Sequence, residues 1–278
     1  MKRIIPLACA GAACLLPAAA FAAPPAERSQ PLWEIGVGAA ALSTPAYPGA
    51  DSRSSRVLGL PFLIYRGKVL RVDQSGIGAR LFDSEEVELD VGVAGALPAS
   101  SDDVAERVGM PNLGPLIEVG PRVKWRIAKI DDASQIRLDV PLRAVIELNG
   151  GPHHQGWTTE PRLVYETRGE KGIWTLEGQL AAVFGDRKIN RYFYEVQPQF
   201  ATAGRPAYSA SSGLMLTRVG VFGTRRLNPD LRLFGYVRFE SYAGAANDNS
   251  PLMKQKTGAS AGVGFAWTFA RSTRGAND

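Results

Sequence analysis

Between Gln135 and Leu148 the chain alternates without a break. Ile136, Leu138, Val140, Leu142, Ala144, Ile146 and Leu148 take one side, and Arg137, Asp139, Pro141, Arg143, Val145 and Glu147 take the other. An unbroken period of two reads as a strand with one apolar face. A slip of one residue would turn four charges onto that face, and where it meets lipid each Arg near the midplane costs about 2–4 kcal/mol. The pattern returns from Thr257 to Phe269, with Ala259, Ala261, Val263, Phe265, Trp267 and Phe269 opposite Ser260, Gly262, Gly264, Ala266 and Thr268. A chain built of such strands must cover the oily face with a second sheet or leave it to lipid.

The N-terminus favours lipid. Lys2 and Arg3 precede an apolar stretch, Ile4 to Ala20, interrupted by Pro6 and Pro17, and Ala20-Phe21-Ala22 offers a small-x-small cleavage site. This is the layout of a secretory signal, with cleavage expected after Ala22 and a short periplasmic segment at 23–32. A lipid anchor would need a branched apolar residue three positions before the cysteine, where Cys14 has Gly11 and Cys9 has Pro6. Both cysteines lie inside the signal, so the mature chain is expected to contain no thiol, which removes disulfides, thiolate nucleophiles and cysteine-held metals. No later stretch approaches the roughly 18 apolar residues of a membrane helix. The basic excess is small once Lys2 and Arg3 are set aside, and the charges alternate in sign instead of clustering. That excludes nucleic acid as a partner.

About twelve period-two segments can be placed, including Lys68–Phe82 as the third and Ile189–Ala201 as the ninth. The expected fold is all-β: a closed antiparallel transmembrane β-barrel of about 12 strands over 33–269, in the bacterial outer membrane, followed by a polar tail at 270–278. The bilayer and lipopolysaccharide are then its lipid partners. Its lumen would carry Glu118, Arg122, Lys124, Arg137, Asp139, Arg143, Glu147, Glu177, Glu195, Arg238 and Glu240, with acid–base pairing between neighbouring strands leaving a narrow or closed pore. The competing assignment puts these residues on the wet face of a soluble sandwich. Aromatics favour the barrel: Trp33, Tyr65, Trp125, Trp157, Trp174, Tyr192, Tyr194, Trp267 and Phe269 fall near predicted strand ends, where rings sit at the headgroups.

Strand counting from an inner N-terminus puts the tight turns Arg66-Gly67, Gly185-Asp186-Arg187 and Asn228-Pro229 in the periplasm, and the longer loops Ser43–Arg56, Thr202–Ser212 and Ala243–Lys256 outside. Pro98–Pro115 is long yet falls on the periplasmic side. Either a strand is miscounted or the segment is a periplasmic docking element, in which case Asp102, Asp103, Arg107, Met110, Pro111 and Leu113 are its contact residues.

Several of these stretches carry a resemblance. Tyr47-Pro48-Gly49-Ala50-Asp51, Pro61 with Tyr65-Arg66-Gly67, Arg107-x-Gly109-Met110-Pro111-x-Leu113 and Glu118-x-Gly120-Pro121 resemble the MipA/OmpV family of outer-membrane proteins. Gly156 with Pro161 and Tyr165, Tyr192-Phe193 with Val196, Gly204-x-Pro206-Ala207-Tyr208 up to Gly213, and Ser250-Pro251-Leu252 extend the resemblance over the mature chain. It implies an outer-membrane barrel and, from the best-known member, a scaffold that joins a lytic transglycosylase to a murein synthase. Other members are described as adhesins or linked to antibiotic uptake. Two features depart from the family: Arg205 stands where an apolar residue is usual, and Ala270–Asp278 follow the aromatic Phe269 on which such barrels commonly end.

Chemistry-bearing clusters are few. His153-His154 are the only histidines and sit beside Gly150-Gly151-Pro152, a turn context with no convergent ligands nearby. A lipid hydrolase would need Ser, His and an orienting residue together, and no G-x-S-x-G element follows a strand. Pairs such as Glu86/Glu88 and Asp102/Asp103 are compatible with glycoside-hydrolase spacing, but neighbouring Arg and Lys make solvated, neutralised charge the simpler explanation. Gly36-x-Gly38, Gly76-x-Gly78 and Gly262-x-Gly264 precede no helix and so are not nucleotide loops; they permit close packing of the wall. The expectation is a non-enzymatic, cofactor-free scaffold for murein-remodelling enzymes. The alternatives are a passive small-solute channel or adhesin acting through the outer loops and, more remotely, a lipid hydrolase.

Overall fold

The computed structural model describes residues 30–73, 76–96 and 104–276. The expected signal sequence, Asp102 and Asp103 lie outside them. The strands are β1 (Trp33–Pro45), β2 (Arg53–Arg66), β3 (Leu70–Asp73), β4 (Gly76–Asp83), β5 (Val87–Ala96), β6 (Leu116–Lys129), β7 (Ser134–Glu147), β8 (His153–Thr159), β9 (Arg162–Arg168), β10 (Trp174–Gly185), β11 (Gly213–Arg226), β12 (Leu231–Ser241) and β13 (Thr257–Arg271), with one helix, α1 (Arg187–Tyr194), between β10 and β11. Each pairs antiparallel with its neighbours. β1 also pairs with β13, as in Val37 opposite Trp267, which closes the barrel. β8 and β9 lie end to end along β7, from Glu147 opposite His153 down to Ser134 opposite Thr167. Pro161, which has no N–H to give to a ladder, sits at the break between them. Thirteen segments therefore make twelve wall strands.

Burial runs opposite to that of a soluble protein. Asp139 and Arg122 on the inner face are 1% and 4% exposed, while Leu180, Phe239 and Val263 on the outer face are 61%, 58% and 63% exposed. Only lipid gives an apolar belt of that extent a favourable surroundings, and the sandwich assignment fails on this point. The start of β1 and the end of β13 lie at one end of the barrel, with the short turns 67–69, 84–86, 130–133 and 227–230, so that end is periplasmic. The segment after β13 stays beside the start of β1: the Ser272 amide donates to the Trp33 carbonyl and the Ala276 amide to that of Gln30.

Two expectations need correction, and their errors cancel in the strand count. Lys68–Phe82 is two strands, with Arg71 of β3 opposite Gly78 of β4. Ile189–Ala201 is not a strand but α1 and the loop after it. Asp186 caps the helix, its carboxylate accepting from the Ile189 amide at 2.9 Å. The extra hairpin reverses the direction of every strand from β5 to β10. The segment before β6 and the Gly185-Asp186-Arg187 turn are therefore at the outer end, and a periplasmic docking role for Arg107, Met110, Pro111 and Leu113 does not hold.

Candidate functional site

The outer end of the barrel is filled by loops that pack on one another. Tyr47 and Ala50 from the β1–β2 loop, Val104 and Leu113 from the β5–β6 loop, Ile189 and Tyr194 from α1, and Leu252 and Met253 from the β12–β13 loop form a buried apolar cluster. It rests on the inward side chains Val145, Met215 and Leu216 at the tops of β7 and β11. The burial of these side chains is what orders four loops that are distant in sequence.

Hydrogen bonds fix the loops in register. The Tyr47 hydroxyl donates to the Leu252 carbonyl at 2.6 Å, and the Ser250 hydroxyl to the Tyr194 carbonyl at 2.7 Å. Asn247 donates to Asn190 at 3.0 Å and accepts from the Ser211 amide at 2.8 Å. Arg107 is buried, donates to the carbonyls of Phe193 and Pro111, and lies 5.8 Å from the centre of the Tyr47 ring. Burial pushes its guanidinium below the usual range, although Tyr47 and Tyr192 act in the opposite sense. Arg205, the departure from the family pattern, reaches the carbonyls of Glu106 and Val108 at 2.9 and 3.0 Å and so joins two loops. α1 docks on β8 at Gly156, whose φ of +124° and close approach to the Ile189 amide admit no side chain.

Below this cap the lumen is lined by ion pairs. Arg122 binds Asp90 at 2.7 Å, Lys124 binds Glu88 at 2.6 Å and Asp90 at 3.0 Å, and Asp139 holds Arg137 and Arg162 at 3.2 and 3.1 Å. Arg137 also pairs with Glu166 and Glu177, and Arg143 reaches Glu118 at 3.7 Å. Higher up, Arg218 is clamped between Glu160 at 2.9 Å and Glu240 at 2.7 Å. The lumen below the cap holds a cavity of about 2990 Å³, whereas one of about 730 Å³ near the outer rim is bordered mainly by outward-facing side chains such as Leu180, Val219 and Phe239. The lower cavity is bordered by the turn residues Gly67, Asp132, Gly169 and Asn228, so its opening is periplasmic.

Most of the expected lumen residues therefore meet partners across neighbouring strands. Three behave differently. Glu147 faces inward at the top of β7 but anchors the cap, accepting from the Gly114 amide, the Tyr192 hydroxyl and Gln155. Arg238 lies 5.1 Å from the centre of the Tyr236 ring. Glu195 is not in the lumen: it follows α1, paired with the exposed Arg191 at 2.9 Å. Tyr192 and Tyr194 likewise belong to the cap instead of an aromatic girdle. His153 and His154 open β8, exposed, with His154 edge-on to Trp157. Among the described residues no group of three or more His, Cys, Asp or Glu could hold a metal ion.

Five of the stretches that suggested a family meet in the cap. Tyr47-Pro48-Gly49, Arg107 to Leu113, Tyr192-Phe193, the 204–208 loop and Ser250-Pro251-Leu252 are all part of it or packed on it. A model of the family described as MltA-interacting protein MipA matches residues 37–269. The chain belongs to this family. No curated protein sequence matches it. Solved structures similar to this MipA-family barrel include the NanC porin, at 8% identity and a TM-score of 0.41 over 83% of this chain and 98% of that one. A bacterial polysaccharide outer-membrane secretin follows at 10% and 0.39, over 84% and 98%. An outer-membrane channel of Pseudomonas putida F1 gives 12% and 0.39, over 89% and 99%. This MipA-family protein is an outer-membrane β-barrel in contact with the lipid bilayer.

Proposed function

We propose that the protein is a non-enzymatic scaffold that works from its periplasmic end, holding murein-remodelling enzymes, a lytic transglycosylase with a murein synthase, at the outer membrane. The family's description as MltA-interacting supports the partner class. The observation that carries the reading is the polarity of the barrel, with its outer end filled by the cap and its wide cavity facing the periplasm. The docking surface moves accordingly from 102–113 to the periplasmic rim, where Glu85 and Glu86 of one turn and Asp131 and Asp132 of another stand exposed as an acidic edge. A basic patch on a partner would be steered to it. Passive diffusion fits the filled outer end less well.

Capture of purified lytic transglycosylase by the detergent-solubilised barrel tests this reading. Replacing 84–86 and 130–133 with Gly-Ser turns should abolish capture, and excising 104–112 from the cap should leave it intact. Capture that survives the turn replacements and is lost with the cap segment would contradict the proposal.

A further inference from the structure

The two halves of the lumen wall differ in kind. From β4 to β10 nearly every cation is matched, through Asp90, Glu88, Asp139, Glu166 and Glu177. From β11 around to β3 the described cations outnumber the carboxylates. Arg226 lies opposite Arg232, and Arg66 lies opposite Arg71, on neighbouring strands at the periplasmic end. At this end the described carboxylates are Glu34, which Arg66 holds at 2.5 Å, and Asp230, which pairs with Arg271. Arg232 sits in the field of Arg66 and Arg226 as well as that of Glu34. Over the whole lower cavity fifteen Lys and Arg stand against eight Asp and Glu.

The same half-wall is aromatic. By the alternation of β12, Phe234 and Tyr236 face inward with Arg232, and Tyr236 lines the cavity together with Phe222 of β11. The Phe234 and Tyr236 rings pack over glycines of β13, and the Arg238 guanidinium stands 5.1 Å over the Tyr236 ring. A Cβ at Gly264 would come within 2.5 Å of the Phe234 ring, and one at Gly262 within 2.6 Å of the Tyr236 ring. The small residues of Gly262-x-Gly264 thus make room for an inward-facing platform.

We propose that this half of the lumen is a binding site, entered from the periplasm, for a short saccharide chain that carries carboxylates. Guanidinium forks are matched to carboxylates, which they bind in pairs of charge-assisted hydrogen bonds. Flat aromatic faces stack on the apolar faces of sugar rings while leaving hydroxyls free for the charged groups around them. Neither feature alone selects such a ligand; together they demand both ring faces and anionic groups. The site lies inside the barrel, apart from the acidic rim, so it stands or falls independently of the scaffold reading.

Calorimetric titration of the full barrel in detergent tests it, with tetragalacturonate as the acidic saccharide, maltotetraose as a neutral one of the same length, and citrate as an anion without rings. The expected result is saturable binding of tetragalacturonate, about tenfold or more tighter than either comparator and weakening as salt rises. Arg232→Gln and Tyr236→Ala should each weaken it by about tenfold, whereas Lys129→Gln, which removes a charge at the same end but outside the cavity, should not. Heat-modifiable migration on gels confirms that each variant is a closed barrel. Equal binding of maltotetraose would overturn the anionic requirement, equal binding of citrate would overturn the saccharide assignment, and absence of saturable binding would overturn the site.

Discussion

Tyr194 is fully buried at the centre of the cap, and its hydroxyl meets no hydrogen-bonding partner among the described residues. A buried hydroxyl without a partner costs about 1–3 kcal/mol, and replacing it with hydrogen of the same ring shape removes that cost. Tyr194→Phe should therefore stabilise the barrel, raising the temperature at which it loses its compact migration on gels by a few degrees; a lowered midpoint would show that the hydroxyl is engaged. At this scale the sequence is legible where a single environment fixes the pattern. Ile136 to Leu148 reads correctly because lipid on one side and charge pairing on the other leave one register. Glu195 reads wrongly because Tyr192, Tyr194 and Val196 alternate with Arg191 and Glu195 as a strand would. The competing signal was present: Ile189, Tyr192 and Phe193 follow helical spacing, and Asp186 stands three residues before Ile189 as a cap.

The cap is an element assembled from four loops, and its tyrosines report on it. Burial pushes the phenols of Tyr47, Tyr192, Tyr194 and Tyr242 above their ordinary value, with Glu106 acting on Tyr47, Glu147 on Tyr192, and Glu240 on Tyr242 in the same direction. A phenol raised in the folded state contributes stability that is complete below the unfolded pKa, about 10, and is lost as pH rises above it. The cap should open in alkali while the strands persist. Phenolate absorbance should show these cap tyrosines titrating late and together, at the pH where trypsin begins to cut near Arg107 and Arg205. Their titration near pH 10 without cleavage would refute this. No periodicity announces such an element. Its residues are short runs of Gly, Pro, Tyr and Asn scattered over four connections, so the family resemblance marked them before any physical pattern could, without revealing that they converge.

At the scale of the whole molecule the strand number was legible and the path of the chain between ends was not. One strand too few at 68–82 and one too many at 189–201 leave the total at twelve while reversing the middle of the barrel, because alternation carries no information about direction. The reversal changes the functional picture: loops expected at opposite ends combine into one cap, which stands above the ion pairs of Arg218 with Glu160 and Glu240. Breaking such a buried pair from one side costs about 3–5 kcal/mol of stability. The asymmetry between a neutral half-wall and an arginine-rich one is visible only after closure, since it depends on β11, β12, β1, β2 and β3 standing side by side.

Planar-bilayer recording tests the blocked lumen most directly. The intact barrel should give no large, steady conductance, and excising the cap segment 104–112 together with Arg218→Ala should produce stepwise openings with a preference for anions. A large, steady conductance from the intact protein would contradict the account.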